Sequence, residues 1–231
     1  MEEIITLILV LLTLLIIFCL YKMLEKRGLY FGLVILNLIT FVLSFKISYI
    51  FKMNINIGII PLIATFTIIY IFLIKYNAKE TKNLLLITLC SNITVALLLA
   101  VMNFFVPAIA ETISINMQGT FEYNYKILIS YPIIVLISQF AAIKLFELLK
   151  QLQDNTSVSI ILTYIITGLL YTVLLYVIVY TNIMEIRYSL FLGISTYIIG
   201  IAITIINIIF IKIINNKKVI KWEIFFWFLS K

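Results

Sequence analysis

From Ser130 to Tyr180 the sequence holds two apolar runs, each long enough to cross a bilayer, joined by a short charged corner from Lys150 to Thr156. Lipid supplies no partners for peptide N–H and C=O groups, so runs of this length are expected to be α-helices, whose backbone satisfies itself. The pattern recurs along the whole chain. Of its 231 residues, 64% are hydrophobic and 12% charged, against roughly 25% charged in an ordinary soluble domain. No polar stretch is long enough to form a separate water-soluble domain. The expected class is therefore all-α: a polytopic integral membrane helical bundle of about six to seven transmembrane helices.

Taken in order, Ile4 to Tyr21 follows an acidic Met-Glu-Glu start rather than the basic start of a signal peptide, and reads as a retained first helix. Lys22 to Gly28 is a basic corner. A second helix is expected over about Leu29 to Phe51, with Lys46 near its end snorkelling to the interface. After a short connection, Lys52 to Gly58, a third helix carries Pro61 in its first turn, where a missing N–H has no partner to lose. A fourth runs from about Leu84 to Ala110 and includes Asn103 and Pro107. A polar connection, Glu111 to Lys126, leads to the two opening runs, and the last helix covers about Ser189 to Ile214 with Gly193, Gly200 and Asn207. The tail, 215–231, repeats Trp222, Phe225, Phe226 and Leu229 at helical spacing beside lysines, and reads as an amphipathic helix on the membrane surface. One membrane domain, 1–231, results: an N-terminal helix and corner (1–28), a core (29–214) and the interfacial tail (215–231). A weak internal repeat is visible, in which Pro61 and Pro132 each open a helix that ends in lysines.

Charge and residue usage exclude several chemistries. The net charge of +7 lies in short clusters between apolar runs, which fits anionic lipid and the positive-inside bias rather than nucleic acid. With the N-terminus outside and the C-terminus cytoplasmic, 13 Lys and Arg fall on the inner side and 4 on the outer. The expected location is thus the cytoplasmic membrane, multi-pass. There is no histidine, and Cys19 and Cys90 lie in separate runs without ligand spacing, so neither a metal site nor a cofactor is expected. No nucleophile–base pair is present, and the chain does not read as an enzyme.

The groups left to bind a ligand are amides and hydroxyls inside the apolar runs. Gln139, Asn37, Asn92, Ser138, Thr163 and Thr167 are the candidates, since an amide offers both donors and acceptors to a small heterocycle. Each also has a plain alternative as a hydrogen bond between helices, worth about 0.6 kcal/mol. Gln139 stands out, because it is mid-helix beside the small Ala141 and Ala142. Tyr70, Tyr164 and Tyr171 offer flat walls.

The segment SQFAAIKLFELLK, with Gln139, Phe146 and Leu149, the helix opening Asn155-Thr156-Ser157-Val158-Ser159 and the corner Lys75 to Lys82 resemble the queuosine-precursor transporter family, also called the vitamin-uptake-transporter-like (VUT) family. The resemblance covers about residues 30 to 180. It implies a transporter for a 7-deazaguanine precursor or related base, with Gln139 carried over as a binding residue. Where the family carries Asp, this chain has Tyr70, Ala142 and Thr167, which implies a changed substrate or mode of coupling. The expected function is transport of a small neutral polar compound by alternating access. The alternatives are the substrate-binding subunit of an energy-coupling-factor importer, which would need an ATPase module, and a non-transporting accessory membrane protein. Expected partners are the small-molecule substrate, the lipid bilayer and a second copy in a homodimer.

Overall fold

A computed structural model describes residues 2–76, 78–102 and 125–215. Asn103, Pro107, nearly all of the Glu111 to Lys126 connection and the tail beyond Asn215 lie outside the described residues. The elements in chain order are α1 (Glu2–Leu43), β1 (Ile47–Ile50), β2 (Met53–Asn56), α2 (Ile59–Lys75), α3 (Ala78–Met102), α4 (Tyr125–Leu152), α5 (Thr156–Thr172) and α6 (Ile186–Asn215). Beyond Thr172, α5 continues as a π-helical segment, Val173–Val179, and a 3-10 turn, Tyr180–Asn182. The architecture is helical, and five of the helices are long and apolar enough to cross a membrane, which is compatible with a membrane-embedded protein. The sixth, α2, is apolar but only 17 residues long.

Two arms make up α1. At Glu25 the backbone takes φ 48° and ψ −120°, outside the helical region, and the chain doubles back. The reversal is so tight that a Cβ at Gly28 would overlap the Leu20 carbonyl. Glycine is the side chain this approach accepts. Beyond the corner, Leu29, Leu33, Leu36 and Phe41 bury one face of the second arm, while Ile4, Leu7, Ile8, Leu11 and Leu15 of the first arm are exposed on the outside of the bundle.

The second arm stops at Leu43, short of the Phe51 that its apolar pattern predicts. Ile-Ser-Tyr-Ile and Met-Asn-Ile-Asn instead pair as an antiparallel ribbon, in register from Ile47 opposite Asn56 to Ile50 opposite Met53. β-Branched and aromatic residues favour this conformation, and Asn is a poor helix former. This ribbon is the departure from an all-α chain. Its two turn residues, Phe51 (φ 50°) and Lys52 (φ 61°), both adopt left-handed backbone, a geometry normally filled by Asn-Gly. Another correction concerns α4, which starts at Tyr125, so that Pro132 lies two turns inside the helix rather than at its opening.

At the centre stands α2. Every residue from Ile59 to Phe72 is buried, as a helix apolar on all sides requires. Successive side chains turn by about 100°, and the contacts follow that order. Thr65 faces Gln139 of α4, Phe66 the Tyr164 ring of α5 at 6.3 Å, Thr67 faces Asn207 of α6, and Ile68 packs beside Gly32 of the second arm of α1. Close approach of α5 and α6 is made at two glycines. A Cβ at Gly200 would overlap the Tyr164 hydroxyl, and one at Gly193 would stand 2.9 Å from Tyr176 Cβ.

One end of the bundle is basic and tied together by Lys75. Its ammonium donates to Tyr21 Oη (2.8 Å) and to the Ile214 carbonyl (3.1 Å), joining the α1 corner to the ends of α2 and α6. A cation there also sits favourably at two helix C-termini. Nearby, Lys26 pairs with Glu80 at 2.6 Å. Burial, the Tyr21 phenol and the Glu25 and Glu80 carboxylates push the Tyr76 phenol up to about 12.

The α1 corner carries strain at one residue and a steric requirement at another. Glu25→Gly is expected to raise stability by about 1 kcal/mol, the strain of a non-glycine residue in sparsely populated backbone. Gly28→Ala is expected to lower it by about 2 kcal/mol or more through overpacking. Thermal unfolding of the two purified variants in detergent checks both signs; a neutral Gly28→Ala would mean that the corner is more open.

Candidate functional site

Three of the six candidate residues direct their hydroxyls to their own helix. Ser138 Oγ donates to the Ile134 carbonyl (2.8 Å), Thr163 to Ser159 (2.7 Å) and Thr167 to Thr163 (2.8 Å). A hydroxyl satisfied this way by the carbonyl four residues earlier is comfortable in an apolar setting and asks for no ligand. Asn37 is glue between helices, its Nδ2 donating to Thr88 Oγ1 of α3 at 3.3 Å.

The remaining two are unfinished. Gln139 is fully buried. Its Nε2 donates to Thr65 Oγ1 (3.2 Å), but its Oε1 has no partner. Asn92, equally buried on α3, has no partner at either Oδ1 or Nδ2. A buried amide atom without a hydrogen bond costs about 1–3 kcal/mol, so these atoms mark places where the packed state leaves polar chemistry open. None of the six candidates lines either of two openings among the described residues. One of about 530 Å³ sits at the basic end beside Asn155, Thr156 and Lys212. An apolar groove of about 480 Å³ runs between Leu11, Phe18 and Phe210.

Around Gln139 the structure adds residues that the sequence left aside. Thr65 is its partner, and on the far side of α2 Thr67 Oγ1 accepts from Asn207 Nδ2 at 2.7 Å, leaving Asn207 Oδ1 unpaired. Thr65 and Thr67 are two positions apart, hence about 160° apart around the helix, so the two amides grip α2 from opposite sides. Below Gln139, Tyr70 stacks at 5.5 Å on Phe146, two turns further along α4, with its hydroxyl unpaired. Above Gln139, Tyr131 of α4 stands beside Tyr171 of α5 and packs edge-on against Phe41 at 5.1 Å. The hydroxyls of Tyr131 and Tyr176 also lack a well-formed hydrogen bond, although the Tyr171 and Thr196 hydroxyls lie near them. Unsatisfied groups thus follow the junction of α2, α4 and α5, from Tyr176 and Tyr131 past Gln139 to Tyr70. The Thr-Phe-Thr triplet of α2 and the lone Asn207 in an isoleucine run were visible signals of the grip; the tyrosine line was not, because aromatics on apolar helices are usually packing.

At the end opposite Lys75 the line meets the β-ribbon. Asn56 is fully satisfied there: Nδ2 donates to the Ser44 carbonyl (2.7 Å) and to Tyr180 Oη (3.2 Å), its backbone N–H to Thr196 Oγ1 (3.2 Å), and its Oδ1 accepts from the Gly58 N–H (2.9 Å). Tyr180 Oη in turn donates to the Ser44 carbonyl at 3.1 Å. Among the described residues no cluster of His, Cys, Asp or Glu could hold a metal ion. The chain matches no protein-family model, no curated protein and no solved structure.

Paired and unpaired amides should respond oppositely to replacement by an isosteric apolar residue. Asn92→Leu is expected to stabilise the fold by about 1 kcal/mol, by removing stranded polar atoms, and Asn37→Leu to destabilise it by about 1 kcal/mol, by stranding Thr88. Unfolding midpoints of both variants in the same detergent decide it; a loss of stability in Asn92→Leu would show that the amide has a partner.

Proposed function

We propose that the protein is a membrane-embedded transporter that moves a small, flat, neutral polar compound, such as a 7-deazaguanine precursor or a related base, by alternating access. The observation that carries this reading is the line of buried, unpaired groups at the α2–α4–α5 junction, with Gln139 Oε1 at its middle. An acceptor without a donor favours a ligand with N–H groups on its edge. The phenols of Tyr70, Tyr131 and Tyr176 can donate or accept, and their rings offer faces against which a flat heterocycle can slide. The partial resemblance to the queuosine-precursor transporter family supports the same substrate class. With Tyr70, Ala142 and Thr167 at the acidic positions of that family, recognition rests on amides and phenols.

In this reading the two arms of α1, α2 with its ribbon, and α3 to α6 make seven crossings. The basic end, with Lys26, Arg27, Lys75, Lys150 and Lys212, faces the cytoplasm by the positive-inside bias, and the ribbon faces outward.

Uptake of labelled bases by cells lacking their own transporter tests the proposal. Expression of the chain is expected to give saturable uptake of at least one 7-deazaguanine or purine-like base, reduced at least 10-fold by Gln139→Ala with membrane levels of the protein unchanged. Uptake no higher than in empty cells for every base offered would sink it.

A further inference from the structure

The β-ribbon is set low in the bundle. Thr196, which accepts from the Asn56 N–H, is ten residues into α6, about 15 Å along that helix. Ile50, Ile55 and Asn56 are buried, while Tyr49, Phe51 and Lys52 at the tip are exposed. One residue holds the ribbon to three separate parts of the bundle: Asn56 binds the end of α1 at Ser44, α5 at Tyr180 and α6 at Thr196. The helix that carries Tyr180 is not regularly wound at this point. From Val173 to Val179 it is π-helical, with the Tyr180 N–H donating to the Leu175 carbonyl five residues back. Such wide turns are rare and concentrate at functional sites. Directly beneath lie Tyr176 and Tyr131, the outer members of the unpaired line.

We infer that the ribbon is the outer gate of the transport path, latched shut by Asn56 against Tyr180, Ser44 and Thr196, and that rewinding of the π segment releases it. Conversion of a π turn to α rotates the residues beyond it relative to those before it. Tyr180 then leaves Asn56, and two of the latch bonds break together, because Tyr180 Oη also donates to the Ser44 carbonyl. The ribbon keeps its own ladder, so it swings as a unit, and the backbone groups that give up a partner are the Asn56 N–H and the Ser44 carbonyl. The strained Phe51–Lys52 tip stays in contact with the interface, where an aromatic ring and a lysine both sit well. The inference rests on the transport reading, but its test does not depend on a substrate.

The probe is a single cysteine at Thr65→Cys, placed under the ribbon in a chain carrying Cys19→Ser and Cys90→Ser, and reacted in intact cells with a membrane-impermeant maleimide. With the latch intact, labelling is expected to be slow. Tyr180→Phe, which removes one hydroxyl and keeps the ring, and Asn56→Ala are each expected to speed it at least 5-fold, while folding, followed by gel filtration and thermal unfolding, is retained. A disulfide between Asn56→Cys and Thr196→Cys is expected to abolish labelling until it is reduced. Slow labelling in both latch variants, with folded protein, would overturn the gate and show the ribbon to be a fixed plug. Faster labelling in the latch variants, with no uptake of any base by the chain that keeps Thr65, would uphold the gate and count against the transport reading alone.

Discussion

The length of α2 sets the problem that the rest of the bundle answers. Seventeen residues make about 26 Å of helix, a little less than the roughly 30 Å of a bilayer's hydrocarbon. In the seven-crossing reading proposed above, so short a central helix leaves part of the crossing to non-helical chain, and in an apolar medium every peptide group of that chain needs a partner inside the protein. The β-ribbon supplies most of them through its own ladder, and Asn56 with Thr196 and Gly58 supplies others at its inner end. Anchoring at the other end by Lys75, against Tyr21 and the Ile214 carbonyl, fixes how far α2 sits toward the basic side. The ribbon and the lysine are therefore two answers to one shortfall in length.

Total burial of α2 also determines where polar chemistry can exist. Its two threonines are the polar side chains between Ile59 and Lys75 apart from Tyr70, and they face opposite neighbours. Each amide that reaches them uses its nitrogen as donor and has its oxygen left over. A threonine hydroxyl has a single proton, and both hydroxyls donate it to the helix backbone, at Leu62 for Thr65 and Ile63 for Thr67. Neither has a donor to return to the amide oxygen. The open acceptors are thus a direct result of pairing an amide with a threonine on a helix.

Much of the helical plan is legible in the sequence, because apolar length and charged corners dictate it. The basic corner before Gly28, the start of the third helix near Pro61 and the last helix all follow from that pattern. The ribbon was not legible, since Phe45 to Ile57 continues the apolar composition, broken by Lys46, Ser48, Lys52 and its two asparagines without a strand signature; what decides in favour of strand is tertiary, the partners on α1, α5 and α6. Spacing could not distinguish Ser138, Thr163 and Thr167, which bond to their own helix, from Gln139 and Asn92, which are left open. Hydroxyls reach their own carbonyls whatever surrounds them, whereas an amide is too long and has too many bonding positions to be satisfied locally. Residue type was informative here, and spacing was not.

The partners of Asn56 have a temporal meaning as well as a spatial one. Tyr180 lies 124 residues further along the chain and Thr196 lies 140 further, so during synthesis the ribbon emerges long before anything exists to receive it. Its early state has Ser44 and the ladder alone, with Lys46 and Lys52 keeping it near water. The seat forms when α5 and α6 arrive, so the docking of this small ribbon comes late in the assembly of the described helices and waits for the synthesis of α6.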